Sequence, residues 1–153
     1  MLKTSIITGA LVALVTGLAI AVQSTLTSRA GSMIGDIRTG IFTNLMGGIA
    51  AGAFLLVMVL QGGVQTMKIP WLAVGITASA GMFGVLIVSG ISFSLQRAGI
   101  AAGLASVILG QLALSFLIDT LGIGGVEPIP LSFSRILGIL VTALGVYLLL
   151  PRQ

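Results

Sequence analysis

Three amides sit where an amide is costly. Gln23, Asn44 and Gln111 each lie within a long apolar run. A carboxamide carries both donors and acceptors, and lipid can satisfy neither. Each must therefore face protein or a water-filled cavity. The available chemistry is recognition by hydrogen bonds: orienting a bound solute, or pinning one helix to another. Interhelical polar contacts are worth only about 0.6–2 kcal/mol each. Three amides on three separate spans point to a polar pocket. Covalent chemistry is excluded. The chain has no Cys and no His. Asp36, Asp119 and Glu127 are its only acids, too scattered for a metal cage or a hydrolytic pair. With no nucleophile–base pair, the sequence describes no enzyme and implies no cofactor and no metal.

The elements that position these amides follow from hydropathy. Of 153 residues, 57% are hydrophobic and 7% are charged. The mean hydropathy is +1.24. A soluble domain carries roughly 25% charged residues, so the solvent here is lipid. A span needs about 20 residues, and the length accommodates five with short loops. The expected spans are 5–27, 40–60, 71–93, 98–118 and 131–150, in one all-α transmembrane domain covering 1–153. The first run resembles a secretory signal but is too long for one. Pro70 and Trp71 mark a helix start at a membrane interface. Arg29, Asp36 and Arg38 are expected in the first loop. Gly122, Gly124, Gly125, Pro128 and Pro130 keep the last loop from being helical throughout. Tyr147 and Arg152 fit interfacial anchors.

Helical spacing places small residues on shared faces. Gly99, Gly103, Ser106, Gly110 and Ala113 align on span 4. Gly138 and Gly145 are one heptad apart on span 5. Close backbone packing replaces hydrophobic force in lipid, so these positions serve packing within the chain or an interface with a second one. Gln111 lies on another face of span 4, roughly 100° from Gly110. One helix can thus pack with one face and line a cavity with another. Asp119, at the end of span 4, is either an interfacial cap or a titrating group at a cavity mouth. No span carries a central charge, whereas proton-coupled pumps commonly bury an acid.

The basic residues divide almost evenly. Lys3, Lys68 and Arg135 fall on one side of the membrane, and Arg29, Arg38, Arg97 and Arg152 on the other. Lys/Arg excess sets orientation, and this split sets almost none. Such a chain is free to insert both ways and pair with its own inverted copy. Inverted repeats build many secondary transporters. The net charge of +4 arises from single residues at span ends, which fit lipid headgroups. No basic cluster is present, so nucleic acid is not a partner.

Several segments match a known pattern. Span 1 contains Gly17-Leu18 and then Val22-Gln23-Ser24-Thr25-Leu26. Span 2 opens with Asn44 and a Gly-rich run. Ser89-Gly90 and Leu95-Gln96-Arg97-Ala98-Gly99 lead into span 4, which reads Gly110-Gln111-Leu112 and ends at Ile118-Asp119. The chain resembles the short, five-helix YdcZ-like branch of the drug/metabolite transporter superfamily, a group of exporter-like inner-membrane proteins. The resemblance covers nearly the whole chain. It implies half of a ten-helix inverted-repeat transporter in a bacterial cytoplasmic membrane. It also implies a partner, either a second antiparallel copy or a close five-span paralogue. Carried over by position are Gln23, Asn44 and Gln111 as substrate contacts, with Asp119 as a further candidate. Unlike the four-helix multidrug branch, span 1 has no membrane-central Glu, which argues against that branch's carboxylate-based antiport.

The sequence therefore reads as a transporter subunit that moves a small metabolite or amphipathic compound by alternating access. Two other readings belong to different classes: an accessory membrane subunit that moves nothing, and a passive pore. A pore would call for a longer polar stripe than three isolated amides.

Overall fold

The computed structural model describes residues 2–61, 69–123 and 127–151. Lys68, Arg152, Gly62, Gly63, Gly124 and Gly125 lie outside them. Five helices account for most of the described chain: α1 (Leu2–Ile34), α2 (Asp36–Leu60), α3 (Trp71–Ala98), α4 (Ile100–Leu121) and α5 (Phe133–Leu149). No strand occurs among the described residues. The first four helices are long and apolar enough to cross a membrane. The fifth has 17 residues, about 25 Å at 1.5 Å per residue, the short end of a span.

The polar stretch expected as the first loop is mostly helical. α1 continues through Arg29 to Ile34, and α2 begins at Asp36. One residue, Gly35, separates them, at φ 88 and ψ 151. Gly99 does the same between α3 and α4, at φ 82 and ψ 165. This combination of positive φ and extended ψ is essentially open to glycine alone. Each corner closes one helical hydrogen-bond ladder and opens the next. Gly35 N–H donates to the Gly31 carbonyl, and the Gly35 carbonyl accepts from Thr39 N–H. Gly99 N–H donates to the Leu95 carbonyl, and its own carbonyl accepts from Gly103 N–H. The glycine is the last donor of one helix and the first acceptor of the next, so a single residue serves both ends.

The other helix ends are conventional. The Pro70 carbonyl accepts the first α3 bond, from Val74 N–H at 3.2 Å. α4 stops at Gly122, in the left-handed conformation, with its N–H on the Ile118 carbonyl. Ser132 caps α5, its hydroxyl accepting from Arg135 N–H.

The chain forms two compact units, residues 1–93 and 94–153. The first holds α1, α2 and most of α3; the second holds the end of α3 with α4 and α5. What is buried differs from a soluble core. Ser24, Thr27, Thr39 and Ser92 are buried, and Leu95, Ala102 and Val146 are the buried apolar residues. Large apolar side chains such as Leu18, Phe54, Leu86 and Leu140 face outward. That is the arrangement of helices solvated by lipid and packed through small residues.

The corners give a direct test. Gly35→Ala and Gly99→Ala should each lower stability by about 1–3 kcal/mol, the cost of holding a non-glycine residue there. Gly47→Ala, in a helix with open space around it, should be neutral or stabilising by about 0.5–1 kcal/mol. Unfolding of the three variants in detergent measures this. Equal effects at all three positions would contradict the one-residue corners.

Candidate functional site

Ser and Thr residues in the helices largely neutralise themselves. The Thr16 hydroxyl donates to the Val12 carbonyl, Thr25 to Ala21, Thr77 to Ala73, Ser106 to Ala102 and Thr142 to Gly138, at 2.8–2.9 Å. A hydroxyl bonded to the carbonyl one turn back presents little polarity to lipid. A longer amide is not so simply satisfied.

In the first unit, three helices converge on one hydroxyl. Ser92 of α3 is fully buried. Its Oγ–H donates to the Asp36 carboxylate at 2.6 Å, and its oxygen lies 3.3 Å from the Thr27 carbonyl of α1. Thr27 in turn donates to the Ser24 carbonyl. Asp36 sits in the first turn of α2, where the partial positive charge of the helix end favours a carboxylate. Sequence reading placed Asp36 in a loop and missed this contact. Ser92 is 65 residues from Thr27 and 56 from Asp36, and no local pattern links it to them.

Asn44 is held close by. Its amide N–H donates to the Gly40 carbonyl at 2.8 Å, and its oxygen occupies the space that a side chain on Gly84 of α3 would need. Gly40 faces Ser89 in the same way, and a Cβ there would fall 2.7 Å from the Val85 carbonyl. Asn44 and Gly40 thus set the approach of α2 to α3. The buried Ser89 Oγ has no hydrogen-bond partner among the described residues. Ser89 lines an open groove of about 660 Å³ with Gly35, Asp36, Arg38 and Phe93.

Gln23 has a different setting. It is exposed and borders a second groove of about 350 Å³ between α1 and α2, with Thr27, Phe42 and Met46. Gln111 of α4 is likewise exposed. Gln23 and Asn44 lie in the first unit and Gln111 in the second.

In the second unit, Asp119 forms an ion pair with Arg135. The Asp119 carbonyl also accepts from Ile129 N–H at 2.9 Å, which ties residue 129 to the end of α4. The Arg135 guanidinium lies 5.1 Å from the centre of the Phe116 ring. Opposite charges flanking one loop were the available sequence signal for this pair. Among the small residues, Gly103 packs against Leu95, with 3.2 Å between a built Cβ and the Leu95 Cα. Gly99 forms the corner before α4, with its carbonyl on Gly103 N–H. Gly110, Gly138 and Gly145 have open space where a side chain would stand.

The family described as "Putative inner membrane exporter, YdcZ" matches residues 8–148. No curated protein and no solved structure matches the chain.

The three-helix junction predicts a stability effect. Ser92→Ala removes a hydrogen bond to a charged group and should cost about 1.5–3 kcal/mol. Ser79→Ala, which removes only a bond to its own helix at the Gly75 carbonyl, should cost far less. Comparing their unfolding in the same detergent checks this; equal stabilities would deny the junction its role.

Proposed function

This chain belongs to the exporter family matched over residues 8–148, and on that premise we propose that it is a transporter subunit working by alternating access as an antiparallel dimer. It is a multi-pass protein of the inner membrane. That family is a transporter class, not an enzyme class. Two five-helix copies supply the ten helices of an inverted-repeat carrier. The cargo is a small metabolite or amphipathic compound, oriented by hydrogen bonds within largely apolar walls.

One observation carries this reading. Gln23 and Gln111 are exposed on the single chain, although each belongs to a helix apolar enough to cross the membrane. Lipid cannot satisfy them. A second copy enclosing a wet cavity can. The open face at Gly110 offers the close approach such a partner needs. Asn44, already bonded to Gly40, holds α2 against α3 and supports the cavity wall.

Reconstitution tests the transport reading. Proteoliposomes screened with small amphipathic compounds should reveal a transported solute. Gln23→Leu and Gln111→Leu should then weaken its binding by about 0.5–1.5 kcal/mol, up to roughly tenfold, with folding retained. Unchanged affinity with altered assembly would make the amides interhelical contacts instead.

The even charge split tests the dimer. The chain has no Cys, so single cysteines introduced as Thr4→Cys or Gln153→Cys label cleanly in intact cells. Each should react partly from the outside. Complete, one-sided labelling of either would fix one orientation and remove the antiparallel homodimer.

A further inference from the structure

The α4–α5 hairpin ends in two charges that each oppose their own helix. Asp119 lies in the last turn of α4, and Arg135 lies in the first turn of α5. A helix is partially negative at its C-terminal end and partially positive at its N-terminal end. Each charge is therefore disfavoured by its own backbone, and the pair offsets that. A staple serving the hairpin alone would be better built the other way round.

As built, the end of the hairpin has two poles. The α4 pole gathers the Asp119 carboxylate, the Phe116 ring and the Ile129 carbonyl, all of which attract a cation. The Arg135 guanidinium fills it: it pairs with Asp119, reaches the Ile129 carbonyl at 3.5 Å and lies over Phe116. The α5 pole gathers Arg135 and the hydroxyls of Ser132 and Ser134, 3.2 Å apart, at a helix end that attracts an anion. Beside the pair runs a groove of about 320 Å³, walled by Leu112, Phe116 and Ile139. Its floor is open at Gly138, where nothing lies within 4 Å of a built Cβ. The ion pair stands at one end of this groove, with Arg135 27% and Asp119 35% exposed.

We propose that this groove binds a zwitterionic phospholipid carrying a primary ammonium. The ammonium takes the place of Arg135 at Asp119 and Phe116. Arg135 turns to the lipid phosphate, and an acyl chain lies along the groove. One ion pair becomes two, and no charge is left bare. An anionic lipid would bring its phosphate to Asp119 as well as to Arg135. A lipophilic cation would take Asp119 and strand Arg135. Only a ligand with both charges matches both poles, and the apolar walls select one with a tail. The inference rests on α4 and α5 alone and does not depend on the transport reading.

The test uses the full chain in mild detergent, with binding followed by native mass spectrometry. The probes are dioctanoyl phosphatidylethanolamine, dioctanoyl phosphatidylglycerol and tail-less phosphoethanolamine. The ethanolamine lipid should bind about tenfold tighter than the glycerol lipid. Asp119→Asn and Arg135→Gln should erase that preference. Gly138→Leu keeps the ion pair but fills the groove, and should weaken the ethanolamine lipid by about tenfold with the thermal midpoint unchanged. It keeps the proposal testable if the charge variants fail to fold. Equal affinity for the two lipids would overturn the proposal. So would unaltered binding by Gly138→Leu, or competition by phosphoethanolamine as effective as that of the lipid.

Discussion

Lipid offers no hydrogen bonds, and that single constraint organises this protein. Each polar atom inside a span must find a partner within the protein or reach water. The backbone answers with helices, and at Gly35 and Gly99 a single residue closes one ladder and opens the next. Hydroxyls answer by bonding one turn back along their own helix, as Thr16, Thr25 and Ser106 do. The Ser92 hydroxyl instead ties α3 to α1 and α2 through Thr27 and Asp36. Gln23 and Gln111 stand exposed instead. Their exposure is what makes a partner and a wet cavity the physically economical completion.

The two units settle their charges in different ways. In the first, Asp36 occupies a helix start that favours it and accepts from a buried serine. In the second, Asp119 and Arg135 sit at helix ends that disfavour both, and each is balanced by the other. The first arrangement serves structure. The second holds charge in a form that a ligand with both signs can exchange.

Much of this fold was legible in the sequence because hydropathy and length alone demand apolar helices. Pro70–Trp71 marks a true helix start because ring geometry acts locally, whereas α4 runs on past the expected end at 118 to Leu121. The segment from Arg29 to Arg38 misled, because polarity was taken as a sign of loop. A helix can leave the hydrocarbon and continue among headgroups, and only one residue, Gly35, was needed to turn it. Asn44 was correctly seen to share a face with Gly40, but its bond to that residue shows a structural duty that spacing could not reveal. The junction at Ser92 was invisible because its three members meet only when the helices pack.

The central claim is that the bare amides line a water-filled cavity completed by a second copy. The most direct measurement is the reactivity of Gln111→Cys in membranes, with a membrane-impermeant, hydrophilic thiol reagent set against a lipid-soluble maleimide. The account predicts that the hydrophilic reagent modifies the site and that it slows the lipid-soluble one. Modification by the lipid-soluble reagent alone, at full rate, would place Gln111 against the bilayer and contradict the account.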